Sequence, residues 1–143
     1  MKIEQKLQMD VIKGERIFYV ELGDLTLVTD GHIGVYLTES ELKIDKSKMQ
    51  KSGNGCDALS PESLQAAGVA GKETKTAYKC HRYGFAIKLE AVEGDAECYV
   101  LENYLKMFSG YTGMIIRGKK DPVLILKYGK PYGIILPINI HLI

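Results

Sequence analysis

The feature that most constrains this chain is the shortness of its apolar runs, each closed within a few residues by a turn. Residues 16–22 (RIFYVEL), 25–28 (LTLV) and 33–37 (IGVYL) are strand-length and rich in β-branched and aromatic side chains. Gly23-Asp24 and Asp30-Gly31 separate them. Both pairs form tight turns readily, because glycine tolerates positive φ and aspartate bonds its local backbone. Further along, Phe85, Ile87 and Leu89 alternate with Ala86, Lys88 and Glu90, which is the period of a strand with one buried face. Residues 78–90 therefore predict two strands broken at Tyr83-Gly84. Residues 113–117, 122–128 and 132–138 predict three more, the last two joined by a turn at Gly129-Lys130.

Helix signals are fewer. Ser60-Pro61-Glu62 offers an N-cap and a proline at the first helical position, predicting a helix over 61–67 that stops at Gly68. Leu101, Tyr104, Leu105 and Phe108 fall on one helical face, predicting a helix over 101–108. Thr38 and Glu41 stand at capping-box spacing, which predicts a helix over 39–49, with a strand over 42–44 as the alternative. The class is α+β. The order strands, helix, strands, helix, strands is compatible with two similar half-domains.

A length of 143 residues suits one domain, and 45% hydrophobic residues supply one core. A net charge of +1 excludes a binder recognisable from an overall basic balance, though not a local basic face. Cys56, Cys80 and Cys98 are odd in number and widely spaced, so no disulfide framework is expected, and a reducing, cytoplasmic location follows. The N-terminal residues lack the apolar core of a signal peptide, and no run approaches the ~20 residues that span a bilayer, so no membrane partner is expected.

Chemistry is sparse. His32, His81 and His141 do not stand near the cysteines at metal-ligand spacing, and adjacent Cys80-His81 would point to opposite faces of a strand. No nucleophile elbow or phosphate-binding glycine loop occurs, and Gly53-Asn54-Gly55 reads as a plain loop. No metal, cofactor or catalytic residue is predicted. A small enzyme using Cys80, His81 or His32 is the least favoured reading. Lys43, Lys46, Lys48 and Lys51 form the densest basic cluster, suited either to a solvated face or to sequence-independent contact with a nucleic-acid backbone. Arg117, Lys119 and Lys120 form a smaller one.

Two stretches resemble the DNA sliding clamps. Residues 25–37 (LTLVTDGHIGVYL) are similar to the segment of the bacterial DNA polymerase III β subunit in which a strand runs into a Thr-Asp-Gly-His turn. Ile33 stands where that family usually has a basic residue. In the second stretch, Tyr104-Leu105 resembles the Tyr-Leu helix of the inner ring surface. Asp121-Pro122-Val123-Leu124-Ile125 and the closing Leu136-Pro137-Ile138 resemble the family's last strands, and the proliferating-cell nuclear antigen branch has an equivalent proline.

The resemblance implies a DNA-clamp-like fold: two βαβββ-type units with antiparallel sheets and two or three short helices. Clamp subunits carry two or three such domains, whereas this chain has room for one, so a ring implies a homo-oligomer. It further implies a replication or repair scaffold that contacts double-stranded DNA through Lys43, Lys46, Lys48, Lys51 and Lys106. Polymerase-type peptide motifs would then lie in an apolar groove at Leu136, Pro137, Ile138 and Ile140. The alternative is a clamp-fold assembly protein of a mobile element or virus that binds no DNA.

Overall fold

A computed structural model describes residues 1–52, 56–80 and 82–139. Helix α1 (Ile3–Ile12) leads into strands β1 (Phe18–Leu22), β2 (Leu25–Thr29) and β3 (Ile33–Thr38). A loop carries a 3₁₀ turn (Lys46–Lys48) to the short strand β4 (Gln50–Lys51). A second 3₁₀ turn (Cys56–Leu59) and α2 (Pro61–Ala67) precede β5 (Val69–Cys80), β6 (Gly84–Ala91) and β7 (Glu97–Leu101). Then come α3 (Glu102–Lys106), β8 (Gly113–Ile116), β9 (Val123–Lys127) and β10 (Lys130–Ile135). All ten strands join one sheet in the order β4-β1-β2-β3-β10-β9-β8-β5-β6-β7. The protein is thus α+β, with a single continuous sheet where the expectation was one for each unit.

A repeat is visible in the topology. α1 followed by the meander β1-β2-β3 matches α3 followed by β8-β9-β10, and the two meanders meet edge to edge through the antiparallel β3–β10 pair. The two helices touch, with the Ile3 amide donating to the Met107 carbonyl at 3.3 Å. The repeating helices are therefore α1 and α3, and α1 was not among the expected helices.

α1 had no counterpart among the expected helices. Its signal is the i, i+4 spacing of Ile3, Leu7 and Val11; Ile3 and Leu7 are fully buried beneath it. α2 matches expectation, capped by the Ser60 hydroxyl, which accepts from the Ser63 amide at 3.2 Å. α3 lies inside the expected 101–108 span, burying Leu105, with Phe108 buried just beyond its end.

The helix expected over 39–49 does not form, and neither does the alternative strand over 42–44. Glu41 does reach back to the Thr38 amide at 2.9 Å, but the chain makes one turn and then extends. The reason lies in spacing. Ile44 and Met49 are buried and Leu42 packs against the same core, yet residues two apart point to opposite sides of a helix. Only a non-helical path buries all three. Asp45 then caps the 3₁₀ turn, its carboxylate accepting from the Ser47 amide at 2.9 Å.

β9 and β10 pair antiparallel as expected, with the turn one residue earlier than predicted. Lys127 pairs with Lys130, so Tyr128 (φ 51°) and Gly129 (φ 77°) are its central residues, as a type I′ turn requires.

The sheet buries both faces over its middle strands. On one face α1 and α3 cover Val28, Val35, Leu89, Val100, Ile116, Ile125 and their neighbours. On the other, Leu59 and Leu64 pack over Val20, Leu27, Tyr36, Leu124 and Ile134, and the Tyr36 hydroxyl donates to the Leu59 carbonyl. After β10 the chain crosses to the far edge strand: the Leu136 amide donates to the His32 carbonyl and the Ile138 amide to the Tyr99 carbonyl, both at 2.8 Å. His32 and Tyr99 thus lie within two residues' reach of each other, and the sheet curls until β7 approaches the β3–β10 pair.

Candidate partner-binding groove

That crossing creates the site. Where residues 136–139 leave β10 they form one wall of a cavity of about 310 Å³, lined by His32, Tyr83, Leu101, Tyr104, Leu136, Pro137, Ile138 and Asn139. The end of β7 contributes Leu101, α3 contributes Tyr104, the β5–β6 turn contributes Tyr83, and the β2–β3 turn contributes His32. The volume is at the small end of ligand-binding clefts, and the lining is mainly apolar and aromatic with a few polar tips.

The turn bearing His32 is held from inside. The Asp30 carboxylate accepts from the His32 amide at 2.8 Å and the Ile33 amide at 3.0 Å. The Thr29 hydroxyl accepts from the Gly31 amide at 3.0 Å and donates to the Ile33 carbonyl at 2.8 Å. Lys6 of α1 bridges Asp30 at 2.8 Å and Asp10 at 2.6 Å. These bonds give Thr29 to Ile33 a full structural account, and that account sets the His32 side chain at the groove.

The electrostatics follow from this tie. Burial of Asp30 favours its neutral form, but the Lys6 ammonium and the two amides outweigh it and hold the carboxyl below its usual range. Burial likewise opposes the charge on Lys6, yet its bonds to Asp10 and Asp30 raise it above the ordinary lysine value. Burial, then the Asp30 charge, raises the Tyr104 hydroxyl.

Because the Asp30 pKa is depressed on folding, its contribution to stability is present above the unfolded value near 3.8 and is lost as pH falls through the folded one. Lys6 is raised, so its contribution is present below about 10.5 and is lost as pH rises through its folded value. Asp30→Ala is expected to cost about 2–3 kcal/mol in denaturant unfolding at neutral pH, since it strands a charged partner and two amides. The loss should shrink at acid pH; a cost that does not change with pH would contradict this account.

Of the expected groove residues, Leu136, Pro137 and Ile138 line the cavity; Ile140 lies outside the described residues, as do His81, His141 and Gly53-Asn54-Gly55. A smaller cavity of about 200 Å³ also meets the tail, lined by Glu97, Cys98, Tyr99, Lys119, Lys120, Ile138 and Asn139. Tyr83, Leu101 and His32 escaped the groove prediction because only the curl of the sheet brings them to the tail.

The expected backbone-contacting lysines lie on two elements, four on the loop and strand after β3 and Lys106 on α3. Lys43, Lys46, Lys48 and Lys51 are exposed on the β3–β4 loop and on β4, without the helix that was to array them. Lys46 bonds Glu21 at 3.1 Å and lies over the Tyr19 ring. Lys106 is on α3, bonded to Glu102 at 2.9 Å.

Cys80 is buried, with its thiol directed to the Tyr78 carbonyl at 3.7 Å. Burial, then the neighbouring Glu97 charge, pushes the Cys98 thiol up to about 12, the opposite of an activated nucleophile. Among the described residues, no three His, Cys, Asp or Glu side chains converge at metal-binding distance. Among the described residues, no helix is long and apolar enough to cross a membrane.

No protein-family model matches the chain, and neither a curated protein nor a solved structure matches it.

Proposed function

We propose that this chain is a non-catalytic, clamp-like scaffold that takes an apolar anchor of a partner's short peptide into the groove between α3 and residues 136–139. The observation that carries the reading is the groove itself, where Leu136 and Tyr83 stay 40% and 50% exposed beside Tyr104, Leu101 and Pro137. Large apolar side chains gathered at a cleft mark recognition sites more often than the same residues scattered singly. The clamp-like part is supported by the repeated helix-plus-meander and by two helices in contact on one face of the sheet. A homo-oligomer accompanies it, and light scattering tests that state.

Phage-displayed peptides selected on the wild-type chain test the groove. Enriched peptides should share an aliphatic or aromatic anchor. They should lose about tenfold or more in affinity against Leu136→Asp, since a buried charge replaces an apolar contact. An empty selection, or peptides that bind this variant equally well, would overturn the reading.

A second reading, double-stranded DNA contact, is favoured by four exposed lysines at positions 43, 46, 48 and 51, of which only Lys46 makes a salt bridge among the described residues. Duplex binding should weaken with salt at a slope of about −0.9 per phosphate contacted, and replacing all four by glutamate should abolish it. Duplex binding that survives the replacement would remove this reading.

A further inference from the structure

β5 is twelve residues long, but β8 pairs only with its first part, Val69–Gly71. Beyond that, its only strand partner among the described residues is β6, and their register shifts between Glu73 and Ala77, where β5 advances four residues against two on β6. Among the described residues, the outer half of β5 is therefore a free sheet edge, and Arg82 and Tyr83 lie in the turn before β6. Lysines and a register shift are the usual protection of such an edge against pairing with another chain. They account for Lys72, Lys75 and Lys79.

They do not account for the aromatics. Tyr78, Tyr83 and Phe85 are 53%, 50% and 46% exposed within eight residues of one another. Phe85 pairs directly with Lys79 and shares its face, while Tyr78 lies on the opposite face and meets Tyr99 edge-on at 6.4 Å. Arg82 sits in the turn beside Tyr83. Among the described residues, Lys72, Lys75, Lys79 and Arg82 make no salt bridge, and the Tyr111 hydroxyl donates to Glu73, the acid of this stretch.

We propose that the β5–β6 hairpin is a contact arm for single-stranded nucleic acid, on which bases stack against Phe85 and Tyr78 while Lys75, Lys79 and Arg82 hold phosphates. Interleaved aromatic rings and unpaired cations on an open ribbon match a ligand with alternating π-faces and anionic charges. An anionic bilayer fits less well, because membrane-surface elements gather their apolar residues on one face, and here they divide between two. This inference is independent of the groove reading.

Fluorescence anisotropy with labelled oligothymidine tests it, using duplex of equal length and phosphatidylserine vesicles as competitors. The wild type should bind the single strand more tightly than duplex, with a log–log salt slope near −2 (about −0.7 per phosphate for three cations). Lys75→Glu, Lys79→Glu and Arg82→Glu together should flatten that slope. Phe85→Ala should weaken binding about tenfold, as should Tyr78→Ala. Tyr83 is left intact, so the groove and its peptide binding stay unchanged in these variants. Absence of single-strand binding at low salt would overturn the proposal. So would binding unaffected by the charge reversal or by Phe85→Ala, equal affinity for duplex, or competition by the vesicles alone.

Discussion

Phe108→Ala is expected to lower the free energy of unfolding by about 3–5 kcal/mol, the range for deleting a buried aromatic ring. Phe108 is 1% exposed and sits just after α3, where its amide donates a hydrogen bond to the Leu105 carbonyl. Its ring stands edge-on to Tyr132 of β10 at 5.0 Å, and such a pair contributes about 0.5–1.5 kcal/mol beyond burial. The ring therefore fastens α3 to β10, the two elements from which the groove is built. Denaturant unfolding should show a lower midpoint with an unchanged m-value. Phe108→Leu, which keeps most of the volume, should cost less than half as much. A loss below about 1 kcal/mol for the alanine variant would mean that α3 does not pack on β10 as described.

Gly133→Ala is expected to cost about 3 kcal/mol or more, the upper end for overpacking. A Cβ at this position would lie 2.2 Å from the Gly34 carbonyl oxygen and 2.4 Å from Cε1 of Phe108. The first neighbour is backbone of the adjacent strand and cannot move without breaking the β3–β10 pairing that joins the two repeats. The second is the same Phe108 ring. Combining Gly133→Ala with Phe108→Ala removes one of the two collisions, so the double variant should be more stable than the sum of the single losses implies, by about 1 kcal/mol or more. Strict additivity would contradict the contact between Gly133 and Phe108.

Much of the sheet was legible because its signals are local. Alternation at Phe85–Glu90 marked β6, the Asp30-Gly31 turn separated β2 from β3, and Ser60-Pro61 placed α2. The failures share one cause, the demand of the core. The Thr38 capping contact exists, but Leu42, Ile44 and Met49 all pack inward, which no helix allows. α1 was missed because Lys2, Gln5, Lys6 and Gln8 surround its apolar stripe, and only the i, i+4 spacing of Ile3, Leu7 and Val11 reveals it. The groove was half legible. Leu136, Pro137 and Ile138 stood out as an apolar run, whereas His32, Tyr83 and Leu101 join them through the curl of the sheet and the tail's bond to Tyr99. Contacts so distant in sequence leave no local pattern.

If the groove receives a partner's peptide, the peptide must contact the residues that line it. Backbone and side-chain chemical-shift mapping during titration with a selected peptide tests it most directly. The account predicts that the largest shifts fall on His32, Tyr83, Leu101, Tyr104, Leu136 and Ile138, with the Lys43–Lys51 loop unmoved. Shifts centred on that loop or on α2, or none at saturating peptide, would contradict it.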